Sequence, residues 1–237
     1  MKEILTKDGS ITLKNEYYNE CYHSSEGAYT ESLYKHVKPA LLTAQKYGFY
    51  GGEIKILDIC FGLGYNTLVT LLHKPENVKL KIFSPELDIN LLKSLKKFNY
   101  PAKLLKFKHI ITALSDNFYY KDKDVEIEIF PGDALEYIKK IKNFHIVYQD
   151  AFSPKVNPEL WSFDYFQKIA SKLDKNGIIT TYSVATPVRC AFYKLGMNIY
   201  SHPYENIRKG TLASFSELDF PKIDFEEKLK RTECKTY

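Results

Sequence analysis

Residues 53–74 read EIKILDICFGLGYNTLVTLLHK. The first part, 53–60, is a short apolar run that ends near glycines. From Tyr65 onward the pattern becomes helical, and Gly62-Leu63-Gly64 makes the turn between the two. A buried strand passing through glycines directly into a helix is the opening unit of a parallel α/β sheet. The same rhythm continues outward. Strands are expected at 79–86 (KLKIFSPE), 125–130 (VEIEIF), 144–150 (FHIVYQD) and 177–183 (GIITTYS). Helices are expected at 88–98, after Pro101, at 133–142 and near 159–173, and one beginning around Pro187 and stopped by Gly196. The stretches MNIYSHPY and GTLASFS then supply two strands with no helix between them, which predicts a terminal antiparallel pair. Before the core, ILTKDGSITL carries Asp8-Gly9, the dipeptide of a tight hairpin. Residues 26–47 read as a helix bent or broken at Pro39.

The expectation is therefore one Rossmann-like, doubly wound α/β domain with a small N-terminal hairpin and helical preface. Residues 1–50 form the preface, 51–220 the core domain, and 221–237 a polar, solvated tail. The 237 residues are 44% hydrophobic and 27% charged, which excludes a disordered chain and suits one core. A net charge of +5 is only mildly basic. The four cysteines, Cys21, Cys60, Cys190 and Cys234, show no metal-ligand spacing and read as thiols of a reducing compartment. With a polar start and no membrane-length apolar run, a cytoplasmic, metal-free protein is expected.

In such sheets, ligands bind beyond the carboxyl ends of the strands. Asp58 lies at the end of the first core strand, Glu86 ends the second, Asp133 follows the third and Asp150 ends the fourth. Each alone reads equally well as a common strand-end or capping acid, and Asp133 before ALEYIKK reads as a helix cap. Their recurrence on one rim points to a ligand. Glu86 follows Gly64 at the separation of ~20 residues at which a nucleotide-binding fold places an acid on ribose hydroxyls. Thr67 stands where a dinucleotide loop needs its third glycine, and Asp58 is poor company for a pyrophosphate. An adenosine bearing a positive centre, as in S-adenosyl-L-methionine, fits better. A bare strand-to-helix turn remains the alternative for the glycines taken alone.

The stretch VYQDAFSPKVNPELW (147–161) carries a resemblance. It is similar to the Asp-[GA]-Phe-[SA]-Pro-x-x-Asn-Pro-x-x-Trp signature of the methyltransferase domain of the MnmC family, whose members modify the tRNA wobble uridine. Asp150, Ala151, Phe152, Ser153, Pro154, Asn157, Pro158 and Trp161 match it. DICFGLGYN resembles the family's glycine loop, with Asp58 for Glu and Cys60 where glycine is usual. SPELD, FPGDALEYI and, more loosely, YHSSEGAYTES resemble further family elements.

The resemblance implies a class I S-adenosyl-L-methionine-dependent methyltransferase that converts 5-aminomethyl-(2-thio)uridine to its methylamino form. The flavin-dependent oxidase half of the fused enzymes has no counterpart in this sequence, so methylation alone is expected. Cofactor contacts fall to Asp58, Gly62, Gly64, Asn66, Glu86, Asp133, Ala134 and Asp150. Asp150 is the expected catalytic residue, holding the amine and taking its proton. Phe152, Pro154 and Pro158 are expected as a stiff wall for the flipped base, with Asn157 among the substrate contacts and Trp161 reading more readily as a core anchor. Lys155, beside the pocket, is a candidate for phosphates, with solvated surface charge as good a reading. Arg189, Arg208 and Lys209 are candidates for phosphates of a tRNA anticodon stem-loop, and solvated surface charge is as good a reading for each. His145 reads as structural. A monomer is expected. A polyamine aminopropyltransferase and a catalytically silent binding module of the same fold remain alternatives.

Overall fold

The computed structural model describes residues 2–205, 207–230 and 233–237. The chain opens with β1 (Lys2–Leu5), β2 (Ile11–Asn15) and β3 (Glu20–Cys21), paired in that order as a small antiparallel sheet. Gly9 takes a left-handed φ of 79° in the first turn. The Asp8 carboxylate accepts from Ser10 N and from Thr30 N, at 2.9 and 2.8 Å, and so ties that turn to the helix that follows. That helical stretch is continuous but not uniform: α1 (Ala28–Glu31), a π-helical turn (Ser32–Val37) and α2 (Lys38–Lys46). The expected irregularity at Pro39 takes the form of this wider turn just before it, where proline withholds an N–H from the ladder.

The core follows as β4 (Glu53–Ile59), α3 (Tyr65–His73), β5 (Lys79–Glu86), α4 (Ile89–Ser94), α5 (Lys108–Asn117), β6 (Tyr119–Lys121) and β7 (Val125–Pro131). After these come α6 (Ala134–Lys140), β8 (Phe144–Gln149), α7 (Phe163–Ala170), β9 (Leu173–Thr181), α8 (Thr186–Lys194), β10 (Asn198–Tyr200) and β11 (Thr211–Ser214). The strand order is β10-β11-β9-β8-β4-β5-β7-β6. The five central strands are parallel, while β6 closes one edge antiparallel and β11 and β10 close the other. From β4 the chain winds to β5 and β7, then returns to β8 on the opposite side of β4. The strand order thus reverses between β4 and β8, the place where such folds open a crevice.

Alternate residues of the central strands feed opposite layers. Ile54 and Ile56 pack with Leu68, Ile82 and Tyr148, whereas Leu57 and Ile59 pack with Val147, Trp161 and Phe166. Two elements depart from the sequence reading. The short edge strand β6 was not expected, because three residues carry no usable alternation. The described residues after Pro221 are mostly exposed, as expected of a polar tail, but two of them anchor it. Ile223 N donates to Ile199 O at 2.8 Å, and Phe225, which opens α9 (Phe225–Leu229), is 4% exposed and packs on Tyr193. Its lysines and glutamates hid two apolar anchors.

Candidate active site

The carboxyl ends of β4, β5 and β8 open into a cleft of about 1330 Å³ that the N-terminal sheet and the π-turn roof over. Its floor begins at the glycine loop. Cys60, Gly62 and Gly64 all take left-handed φ values, 64°, 54° and 73°. Close approach accompanies the turn, since a Cβ on Gly64 would sit 2.8 Å from the Phe61 ring. Gly62 N donates to Glu86 Oε2 and Asp88 N donates to Glu86 Oε1, each at 2.8 Å. Both oxygens of Glu86 are thereby fixed at the rim. Burial nonetheless raises the Glu86 carboxyl above its ordinary value.

Asp58 and Asp150 face each other across Asn66. Asp58 is 1% exposed and accepts from Thr67 Oγ1 at 2.9 Å and from Asn66 Nδ2 at 3.4 Å. Burial, reinforced by the charges of Asp150 and Glu86, pushes it up to about 8 against those two hydrogen bonds. Asp150 accepts from Asn66 Nδ2 at 2.8 Å, and His36 Nε2 lies 3.5 Å from its other oxygen. Burial pushes Asp150 up as well, but His36, His23 and the Asn66 bond outweigh it and hold the carboxyl below its ordinary value. Two neighbouring acids are thus driven in opposite directions, the arrangement expected where acids have distinct tasks. Asn66 Oδ1 is buried and has no hydrogen-bond partner. Asn66 Nδ2 bridges the two carboxyl groups beneath the floor, an acidic setting that suits a ligand with positive charge.

The loop after β8 is stiff for identifiable reasons. Trp161 is fully buried and donates from Nε1 to Phe152 O at 2.7 Å. Gln149 Nε2 donates to Leu160 O at 2.9 Å, and Ser153 N donates to Glu20 Oε2 at 3.0 Å. Phe152 meets the rings of Tyr18 and Tyr22, with centroids 5.4 and 5.0 Å away.

Of the residues singled out in the sequence, Gly62, Glu86, Asp133, Ala134, Asp150, Phe152, Asn157, Arg208 and Lys209 line the cleft. Asp133 also caps α6, accepting from Leu135 N at 2.6 Å. Asp58, Gly64 and Asn66 lie beneath the floor, where Asp58 and Asn66 hold its hydrogen bonds. Trp161 cannot stack on a ligand, because its indole is enclosed in the core, so its part is that of an anchor. Arg189 donates to Thr211 Oγ1 at 3.0 Å and is not among the lining residues, nor are Pro154 and Lys155. His145 Nδ1 accepts from Lys55 N at 2.9 Å, a structural bond within the sheet. His36, His23, Tyr18, Tyr22, Lys35 and Glu20, all on the N-terminal preface, also line the cleft without being marked by the sequence pattern. Only the loose similarity of YHSSEGAYTES pointed there, since periodicity reports that a helix face is buried and not where it docks. Among the described residues no cluster of His, Cys, Asp or Glu suits a metal ion, and no helix is long and apolar enough to cross a membrane.

Residues 96–216 match the family model of S-adenosyl-L-methionine-dependent methyltransferases. The crystal structure of MNMC2 from Aquifex aeolicus is similar, with a TM-score of 0.84 and 33% identity over 97% of this chain and 74% of that one. An uncharacterized protein of Methanocaldococcus jannaschii is 30% identical over 92% of this chain. The tRNA 5-methylaminomethyl-2-thiouridine biosynthesis bifunctional protein MnmC of Legionella pneumophila is 26% identical over 81% of it. This chain spans 60% of the first of those two proteins and 32% of the second. With a family match covering half its length and a solved relative similar over nearly all of it, the chain belongs to the MnmC-like S-adenosyl-L-methionine-dependent methyltransferases and takes S-adenosyl-L-methionine as its cofactor.

Proposed function

We propose that this protein methylates the exocyclic amine of 5-aminomethyl-(2-thio)uridine at the wobble position of tRNA. The observation that carries the reading is Asp150: a carboxylate kept ionised, at the tip of β8, on the floor of an aromatic-lined cleft beside the glycine loop. Similarity to the bifunctional MnmC protein supports the choice of substrate.

The cofactor supplies a methyl group on a sulfonium, already a good leaving group, so the protein's work is alignment and exclusion of water. Glu86, pinned by two backbone N–H groups, accepts from the ribose hydroxyls, and Asp133 with Ala134 borders the adenine. Gly62 and Gly64 allow close backbone approach. Asp58 and Asn66, beneath the floor, supply the negative charge and the hydrogen bonds that favour the cationic amino-acid end of the cofactor. Asp150 accepts a hydrogen bond from the substrate amine, aims its lone pair and draws off its N–H proton as the new N–C bond forms. Phe152 and Asn157 border the uracil, and Arg208 and Lys209 at the cleft edge meet phosphates of the anticodon stem-loop. In this reading residues 51–220 carry the transfer and the preface completes the pocket, in a monomeric, cytoplasmic enzyme.

The test is mass spectrometry of wobble nucleosides after purified protein, cofactor and undermodified tRNA are incubated together. A gain of one methyl on 5-aminomethyluridine supports the reading. An unchanged nucleoside, with putrescine instead consumed in the presence of decarboxylated cofactor, would replace it with aminopropyl transfer.

A further inference from the structure

We propose that His36 is a positioning residue for methyl transfer: from the buried π-turn it fixes the Asp150 carboxylate toward the cleft and keeps it anionic while an amine binds. The inference rests on the reading of Asp150 as the amine-holding residue. His36 is 2% exposed, and its ring is constrained on three sides. Nδ1 lies 2.8 Å from Thr180 Oγ1 on β9, Nε2 lies 3.5 Å from Asp150 Oδ1 after β8, and the ring edge meets Tyr148 at 5.7 Å and 71°. A carboxylate only accepts hydrogen bonds, so a hydrogen on Nε2 points at Asp150, while Nδ1 pairs with the Thr180 hydroxyl.

Asn66 Nδ2 serves the other oxygen of Asp150. One oxygen therefore accepts a hydrogen bond and the other faces the His36 imidazole nitrogen at 3.5 Å, and both contacts favour the ionised form. Other charged and titratable groups face the same carboxylate. Asp58 on β4 is coupled to it as a like charge, and Glu86 on β5 and Glu31 on α1 line the same cleft. His23 after β3 favours its ionisation, and Tyr182 after β9 and Cys60 in the glycine loop stay protonated. Lys35, the nearest lysine of the π-turn, is committed to Glu31. His36 is therefore the donor directed at Asp150 from the roof of the cleft. The π-turn is an independent sign. Such turns are uncommon and cluster at functional sites, and this one carries both Lys35 and His36 to the cleft wall.

The test is carbon-13 NMR titration of aspartate carboxyls in the full chain, with Asp150 assigned through Asp150→Asn. In His36→Ala the Asp150 titration should move up by about one pH unit or more. In His36→Gln, whose amide offers an N–H near the position of Nε2, it should move less. Cofactor affinity by calorimetry should stay within ~3-fold of wild type in both variants. With amine-bearing RNA as substrate, kcat for His36→Ala should fall more than tenfold, the acid limb of its pH profile should rise with the titration, and His36→Gln should recover part of the loss. An unmoved Asp150 titration in His36→Ala overturns the proposal; if that variant does not fold, His36→Phe, which keeps a ring but removes the N–H, is read in the same way. The titration needs no RNA. A protein that never methylates tRNA would therefore sink the substrate reading while the role of His36 is still decided.

Discussion

Cys60 departs from the glycine-loop pattern that the sequence resembles, and its φ of 64° lies in the region that favours glycine. A non-glycine residue in that region carries strain of ~1 kcal/mol, while glycine loses a comparable amount through the freedom of the unfolded chain. Cys60→Gly should therefore change stability by less than about 1 kcal/mol, whereas Cys60→Val, β-branched at the same φ, should lower it by ~1–2 kcal/mol in denaturant titrations. Burial and the charges of Glu86, Asp150 and Asp58 raise the Cys60 thiol well above its ordinary range. Iodoacetamide at pH 8 should accordingly label exposed Cys21 and spare Cys60 on peptide mapping; rapid labelling of Cys60 would show that the loop opens. Asp58 makes a second, signed prediction. Its folded value of about 8 exceeds the unfolded value of 3.8, so the folded state retains a proton that the unfolded state has lost between those limits. In the ligand-free protein this contribution to stability is complete below pH 4 and disappears as pH rises through 8. Asp58→Asn should flatten the decline across that window in thermal melts. Binding of the cationic cofactor favours the carboxylate, so calorimetry at pH 7 in buffers of different ionisation enthalpy should register proton release. Proton uptake would contradict the electrostatics described above.

At the scale of elements, the loop from Asp150 to Trp161 does its work by being rigid. Its prolines were legible as stiffness in the sequence, but the part played by Trp161 was not, because a tryptophan can stack or anchor and composition does not say which. Burial decides it. Trp161→Phe keeps most of the apolar volume and loses the hydrogen bond to Phe152 O, so it should cost ~1 kcal/mol. Trp161→Ala leaves a cavity and should cost ~3–5 kcal/mol. If the loop's rigidity matters for transfer, Trp161→Phe should raise KM for the nucleic-acid substrate more than it changes cofactor affinity. Equal changes in the two would instead mean that the loop serves the cofactor. The N-terminal helical stretch is the opposite case. Its position over the cleft is set by tertiary docking of the π-turn against β9 and by the Glu20–Ser153 bonds, contacts between residues more than a hundred positions apart. No local pattern encodes those, which is why His36 and the tyrosines of the preface escaped the reading while Glu86 and Asp150, tied to strand ends, did not.

For the molecule as a whole, strand-to-helix alternation was enough to locate the crevice, because buried parallel strands carry their ligand groups at one rim whatever the connecting segments do. The short strand β6 and the two anchors Ile223 and Phe225 leave no trace in the pattern for the same physical reason: a few apolar residues among many charges produce no period. The crevice lies between two layers of core that share the central strands, and the acids on its floor repel one another without a cation. Cofactor binding should therefore add to global stability by mass action, since an unfolded chain has no such site. At one hundred times the dissociation constant the gain is ~2.7 kcal/mol, which for a chain of this size corresponds to a rise in Tm of roughly 5–10 °C. S-adenosyl-L-homocysteine, which keeps the ribose and the ammonium but lacks the sulfonium charge, should also raise Tm through Glu86 and Asn66. Glu86→Ala should abolish most of either shift, because the ribose loses both of its fixed acceptors. A full thermal shift in Glu86→Ala would place the adenosine elsewhere in the cleft, and no shift in the wild-type protein at saturating cofactor would mean that the acids at this rim receive some other cation.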